Sequence, residues 1–94
     1  MGSLAPEHYR ITNIEIDKYI DDIDCYLSTN YAIFFKDDLY KYIADGNQLI
    51  GKISLCKRAL KENSNRLEDW EKRERDVNIR IQEAKARYEK IFLC

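Results

Sequence analysis

Ninety-four residues suffice for one small domain, near the size at which a single hydrophobic core is barely adequate. Apolar residues make up 45% of the chain and charged residues 35%, with one Pro and three Gly, which favours an all-helical fold and excludes a disordered tail. The net charge of −1 gives no overall attraction to nucleic acid or to an anionic membrane, and no apolar run is long enough for a membrane span.

The N-terminal part of the chain is predicted to be a mobile arm followed by a short amphipathic helix. Residues 1–11 show no hydrophobic period. Thr12 and Glu15 have the spacing of a capping box, which predicts a helix over about residues 13–28. The packing face of this helix recurs at intervals of four, three and four residues and comprises Ile16, Ile20, Ile23 and Leu27. Its candidate acidic docking face comprises Asp17, Asp21, Asp22 and Asp24.

Residues 29–36 are predicted to form a connector. Ser28, Thr29 and Asn30 favour a turn, because their side chains compete for backbone hydrogen bonds. The apolar run at positions 31–35 is followed by no second strand that could satisfy its backbone, so we expect a buried connector or a short helix there. Asp37 and Asp38 then suit the positive N-terminal end of the next helix.

A long helix with a heptad stripe is predicted from about residue 37 to residue 93. Stepping from Leu39 by three and four residues reaches sixteen positions, of which only Gly46, Asn63 and Glu74 are not apolar. Such a sustained 3.5-residue period predicts an oligomeric coiled coil. The predicted interface comprises Leu39, Tyr42, Leu49, Ile53, Cys56, Leu60, Asn63, Leu67, Trp70, Glu74, Val77, Ile81, Ala84, Tyr88 and Ile91.

The length of this helix indicates that its stripe needs another chain. At 1.5 Å per residue it would span about 80 Å, far more than helix 1 can cover. The weak point is Asp45–Gly46–Asn47, where the helix would break if the chain were instead a compact three-helix module. We favour the continuous helix, because the heptad phase passes through Gly46 unshifted. Asn63 and Glu74 are expected to fix the register of the interface, and Trp70 to anchor it.

The residues that flank the stripe indicate which partner it prefers. The basic edge of the stripe consists of Lys52, Arg66, Arg73, Arg80 and Arg87. In a parallel, in-register homodimer Lys52 would face Lys57 and Arg80 would face Lys85, which disfavours that arrangement. Residues 1–50 carry four Lys/Arg against nine Asp/Glu (−5), whereas residues 51–94 carry twelve against eight (+4). We therefore expect a hetero-oligomer or an antiparallel homodimer, the basic edge lying against an acidic neighbour.

No catalytic, cofactor or metal site is predicted. Cys25, Cys56 and Cys94 are odd in number and widely spaced, which fits neither a disulfide framework nor a metal-ligand pattern and favours the cytoplasm or the nucleus. His8 is the only histidine, and we expect it at a solvated position without a matched acid–base partner. The sequence therefore predicts a non-enzymatic coiled-coil adaptor or structural subunit. The alternative is the compact module broken at Gly46, binding a peptide near Tyr31–Phe35.

Overall fold

The computed structural model describes residues 6–28, 36–60 and 65–92 of the chain. They form three helices, α1 (Pro6–Ser28), α2 (Lys36–Leu60) and α3 (Asn65–Phe92), and this described part contains no strand, which confirms the all-helical prediction. The pairs of contacting residues show that α2 is antiparallel to both α1 and α3, and that α1 is parallel to α3. The helices therefore form an up-down-up bundle with extents of 47 × 21 × 20 Å. None of the described helices is long and apolar enough to cross a membrane.

The first helix begins earlier than the sequence indicated. Residues 6–11, which were assigned to a mobile arm, are helical, and residues 1–5 lie outside the described part. Pro6 suits the first position of a helix, because the N–H that it lacks would have no intrahelical partner there. Thr12 is consequently buried inside the helix, and its hydroxyl donates to the carbonyl oxygen of His8 at 2.8 Å. The prediction of a cap at Thr12 is wrong.

The long helix predicted over residues 37–93 is divided in two. α2 ends at Leu60 and α3 begins at Asn65, with residues 61–64 outside the described part. The alternative break at Gly46 is also wrong, because α2 continues through that position. The division lets α2 and α3 pack against each other, so the chain buries its own stripe and no longer requires another chain to do so. The connector predicted at 29–36, including Tyr31–Phe35, lies outside the described residues apart from Lys36.

Gly46 is a point of close approach among the three helices. A Cβ atom added to Gly46 would lie 2.5 Å from Cγ1 of Ile81 in α3 and 2.6 Å from the hydroxyl of Tyr19 in α1. Both distances are far shorter than the optimal separation of non-bonded carbon atoms, about 3.5–4 Å. Glycine is therefore needed here for packing, whereas Gly51 on the same helix faces open space.

One hydrophobic core joins the three helices. From α1 it contains Ile16, Tyr19 and Ile23, with Thr12 buried beside them, while Ile20 and Leu27 are partly buried against it. From α2 and α3 it contains Leu39, Leu49, Ile53, Cys56, Trp70, Val77, Ile81 and Ala84. Because α1 lies against both other helices, its polar flank is brought next to the basic edge of α2 and α3.

Candidate protein-interaction site

The heptad stripe that the sequence assigned to an interface with another chain lies mainly inside the bundle. Its buried members are Leu39, Leu49, Ile53, Cys56, Trp70, Val77, Ile81 and Ala84. Its half-buried members are Tyr42, Leu60, Leu67, Glu74 and Tyr88. Ile91 is 46% exposed, and Asn63 lies outside the described residues. The stripe of α2 packs against the stripe of α3, so each half of the predicted coiled coil finds its partner in the other half.

Trp70, which was expected to anchor an interface with another chain, and Glu74, which was expected to fix its register, have partners in their own chain. Trp70 is 4% exposed, and its ring packs against Tyr9 of α1 with the ring centroids 6.1 Å apart. The guanidinium of Arg66 lies 5.3 Å from the centroid of the Tyr9 ring, a favourable cation–π arrangement. Glu74 accepts a hydrogen bond from Nζ of Lys57 at 2.8 Å. Trp70 thus helps to hold α1, and Glu74 helps to align α2 with α3.

Part of the acidic face of α1 pairs with the basic edge of the same chain. Arg73 donates to Asp17 at 3.0 Å, and Arg80 donates two hydrogen bonds of 3.1 Å to Asp24. The bonds to Asp24 raise the pKa of the Arg80 guanidinium above its ordinary value. The sequence predicted an acidic neighbour in another chain for the basic edge, whereas in the structure α1 of the same chain pairs with Arg73 and Arg80. Exposed ion pairs contribute only about 0–1 kcal/mol each, so they orient α1 more than they stabilise it.

A cleft lined by tyrosines and carboxylates lies between the C-terminal half of α1 and the N-terminal half of α2. It consists of two adjoining cavities of about 260 and 280 Å³ that share Asp22, Tyr42 and Asp45. The residues that define this tyrosine–carboxylate cleft are Asp22 and Tyr26 of α1 and Asp38, Tyr42 and Asp45 of α2. Two cations, Lys18 and Lys41, also line it.

The tyrosines of the cleft form a packed aromatic group. The rings of Tyr26 and Tyr42 are tilted by 37° with their centroids 5.1 Å apart. Tyr19 packs edge-on against Tyr42 at 6.3 Å, and its hydroxyl donates to the carbonyl oxygen of Tyr42 at 2.9 Å. Burial, followed by the charge of Asp45, raises the pKa of Tyr19 to about 12. Burial, followed by the charge of Asp22, also raises the pKa of Tyr42. Both phenols are therefore neutral at physiological pH.

Of the four carboxylates that line the cleft, three differ from the fourth, Glu15. Within residues 6–28, 36–60 and 65–92, none of Asp22, Asp38 and Asp45 forms an ion pair. By contrast, Glu15, on the same helix as Asp22, lies 3.0 Å from Nζ of Lys52. The cleft thus holds three carboxylates outside any such ion pair against two cations, Lys18 and Lys41, so this part of the α1–α2 contact carries a surplus of negative charge.

The sequence contained a signal for this cleft that the heptad reasoning missed. Asp45 lies one heptad before Lys52, and Asp38 lies two heptads before it. All three residues are therefore on the same edge of the stripe. The edge is therefore acidic before residue 52 and basic from residue 52 onward. Asp22 comes from the predicted acidic docking face, so an acidic part of α1 meets the acidic part of this edge. Asp21, the remaining member of that face, is exposed.

A second groove, between α1 and α3, has balanced charges. Its volume is about 510 Å³, and it is lined by three acidic and three basic side chains above Ile20 and the buried Trp70. The Oδ1 atom of Asn13 is buried at this groove and accepts no hydrogen bond from the described part of the chain. Because the groove shows no surplus of either charge and Trp70 presents little of its ring, it offers less to a partner than the tyrosine–carboxylate cleft.

The groups with redox or acid–base chemistry are dispersed. Cys56 is fully buried, and burial raises the pKa of its thiol although a hydrogen bond with Thr12 opposes this shift. His8 is half-buried, and its Nε2 atom is enclosed without a hydrogen-bond partner among the residues that the structure describes, so the solvated position expected for it is wrong. Among the described residues no three His, Cys, Asp or Glu side chains are placed to hold a metal ion.

Comparison with protein-family models, curated proteins and solved structures finds no match to this chain. The functional proposals that follow therefore rest on the geometry and charge of the bundle.

Proposed function

We propose that this chain is a non-enzymatic adaptor module that binds a basic segment of a partner protein in the tyrosine–carboxylate cleft. The observation that carries the proposal is the set of three carboxylates, Asp22, Asp38 and Asp45, which surround the Tyr26–Tyr42 pair without ion-pair partners in the described part of the chain. A concave surface lined mainly by one sign of charge attracts groups of the opposite charge, and raises their local concentration.

The chemistry of the cleft suits an arginine or lysine side chain. The face of a tyrosine ring attracts a cation within about 6 Å of its centroid, and a carboxylate gives a guanidinium or ammonium group short charge-assisted hydrogen bonds. Each cavity, at about 260–280 Å³, is at or below the lower limit of about 300 Å³ typical of small-molecule sites. We therefore expect one long side chain in each cavity, whereas a nucleotide or a flavin would have to occupy both.

A peptide-binding measurement with matched charge variants tests the proposal. The probe is a fluorescein-labelled synthetic peptide with arginine at every third or fourth position, titrated with the protein and followed by fluorescence anisotropy. We expect Asp38→Asn/Asp45→Asn to weaken binding by more than about tenfold, since a charge-assisted contact is lost at each site. The control Asp37→Asn/Asp69→Asn produces the same net charge, and likewise removes one acidic residue from the first turn of α2.

Two results would count against this role of the cleft. Equal loss of affinity in both double variants would show that binding reports only net charge. A second result concerns the unmodified protein. If it bound the arginine peptide no better than the same peptide with glutamate in place of arginine, the basis for a basic partner would be removed. Measurements at low and high salt separate long-range attraction, which salt screens, from contacts inside the cleft.

A second candidate is the coiled-coil structural subunit predicted from the heptad pattern. The observation that favours it is the phase of the stripe in the sequence, whose steps of three and four residues run from Cys56 to Trp70 without a shift. In this role the chain joins a hetero-oligomer or an antiparallel homodimer. Light scattering distinguishes the candidates, because the adaptor module has the mass of one chain and the homodimer the mass of two.

A further inference from the structure

The side of α2 that faces neither α1 nor α3 carries charge only at its two ends. Leu39, Ile53 and Cys56 of α2 lie in the core, so the residues on the opposite side of the helix face outward. This outer face of α2 consists of Asp37, Tyr40, Ala44, Asn47, Gly51, Leu55 and Arg58. All of these residues are exposed except Ala44, which is half-buried.

The other charged residues between positions 37 and 58 are engaged on the remaining sides of α2. Those on the α1 side line the cleft or form an ion pair with α1, and they are Asp38, Lys41, Asp45 and Lys52. On the α3 side, Lys57 pairs with Glu74. By contrast, neither Asp37 nor Arg58 forms an ion pair within the described part of the chain. Their charges are therefore available to a partner outside the chain.

The outer face of α2 presents the same order of chemical groups from either end. A charged residue is followed after three residues by a large apolar one, Tyr40 from one end and Leu55 from the other. Four residues further on lies a small residue, Ala44 or Gly51. Tyr40 is 64% exposed and Leu55 is 41% exposed. Because the charges at the two ends have opposite signs, the face is complementary to a copy of itself that is turned end for end.

We infer that two copies of this chain pair antiparallel through the outer faces of α2. In this dimer Asp37 of each copy lies opposite Arg58 of the other, and Tyr40 lies opposite Leu55. A two-fold axis makes every contact twice, as in other isologous interfaces. The inference rests on the second candidate function, whose antiparallel homodimer needs a surface other than the buried stripe. The tyrosine–carboxylate cleft lies on another side of α2 and stays open in the dimer.

The centre of the dimer allows close contact, and its length indicates a weak association. Ala44 of one copy lies opposite Gly51 of the other, and the distance between packed helices depends on the side chains at their contact. No described atom of the chain comes within 4 Å of a Cβ added to Gly51, so there is room for the second helix. A pair of single-helix faces about 32 Å long, from 21 residues at 1.5 Å each, belongs with the small interfaces of transient complexes. We expect a dissociation constant in the micromolar to millimolar range.

Charge-reversal variants test the antiparallel pairing. Asp37→Arg and Arg58→Asp each place like charges opposite one another at both ends of the dimer. Each variant alone is therefore expected to raise the dissociation constant more than about tenfold, as measured by sedimentation velocity at low salt. The control Asp21→Arg, at an exposed position of α1, carries the same net charge as Asp37→Arg and should leave the dimer unchanged.

Mixing the two variants separates an effect on the interface from an effect on the fold. Both Asp37→Arg and Arg58→Asp oppose the dipole of α2, and mixing cannot reverse that. An equimolar mixture nevertheless places an arginine opposite an aspartate at both ends. We expect it to regain the dimer, which native mass spectrometry identifies as a heterodimer by its mass.

A substitution at the centre of the outer face gives an independent readout. Gly51→Lys adds a long charged side chain where the two helices approach, so it is expected to raise the dissociation constant more than about tenfold. The loss of a glycine from the helix should at the same time raise the Tm of the single chain. The matched control Ala86→Lys adds the same side chain at an exposed position of α3 and should leave the dissociation constant unchanged.

The outcomes distinguish this interface from the second candidate function as a whole. A dimer that tolerates both Asp37→Arg and Gly51→Lys overturns the inference but leaves an antiparallel homodimer standing through another surface. A monomer at every concentration tested overturns both the inference and the homodimer, and leaves only the hetero-oligomer of the second candidate.

Discussion

Replacement of Gly46 by alanine tests whether the three helices meet as the structure shows. The added methyl group would lie 2.5 Å from Cγ1 and 2.8 Å from Cδ1 of Ile81, and 2.6 Å from the hydroxyl of Tyr19. Ile81 is 1% exposed, so it has little space for another rotamer. The hydroxyl of Tyr19 is held by its hydrogen bond to the carbonyl of Tyr42. Neither neighbour can move away without losing packing or a hydrogen bond.

The net effect of Gly46→Ala follows from two opposing contributions. Overpacking a well-filled core costs about 1–3 kcal/mol, whereas alanine in place of glycine inside a helix gains about 0.5–1 kcal/mol. We therefore expect the free energy of unfolding to fall by about 1–2 kcal/mol. For a domain of this size that corresponds to a fall in Tm of roughly 5–15 °C. Gly51→Ala, at an exposed position with open space around it, is the matched control and should raise Tm by a few degrees.

Urea and thermal unfolding of four variants would complete this test. In an Ile81→Ala background the two closest carbon atoms are absent, so Gly46→Ala should be less damaging than in the unmodified chain. The difference is the coupling energy of a double-mutant cycle, which lies at about 0.5–3 kcal/mol for residues in contact. If Gly46→Ala stabilised the protein as much as Gly51→Ala, or showed no coupling to Ile81, the close approach of the helices would be refuted. A solvent-exposed Gly46 in a single continuous helix would give that result.

Two further predictions concern the tyrosine–carboxylate cleft. Asp45→Asn removes one of the cleft carboxylates that lie outside an ion pair, and with it the attraction of Lys41, four residues earlier on α2, so the two effects oppose each other. The free energy of unfolding should therefore change by less than about 0.5 kcal/mol, while binding of the arginine peptide weakens; a large loss of stability in thermal unfolding would show that Asp45 serves the fold and not a partner. Tyr19 has a folded-state pKa of about 12 against an ordinary value of 10.0. Its contribution to stability is therefore fully present below pH 10 and is lost as the pH rises toward 12. Urea unfolding of Tyr19→Phe should show a shallower decline across that interval than the unmodified protein, and parallel declines would show that Tyr19 titrates as an ordinary tyrosine.

The periodicity of the sequence determined which face of each helix is apolar. Ile16 and Ile23 on α1, and Leu39, Ile53 and Ile81 on the stripe, are buried because a spacing of three and four residues aligns side chains along one side of any helix. The distribution of charge indicated an acidic neighbour for the basic edge, although it placed that neighbour in another chain and not in α1 of the same chain. These features depend on local geometry, so they were readable without knowledge of the fold.

Only the tertiary structure decided what covers that face. A heptad stripe is satisfied equally by a second chain or by its own other half, because hydrophobic burial has no preference for the chain that provides the partner surface. The division between Leu60 and Asn65 was therefore invisible to a pattern that continues in phase across it. Gly46 shows the same limit: its sequence context suggests a weak point in a helix, whereas its neighbours Ile81 and Tyr19 make it a packing requirement. Local spacing specifies an apolar surface, and the three-dimensional arrangement of the helices specifies its partner.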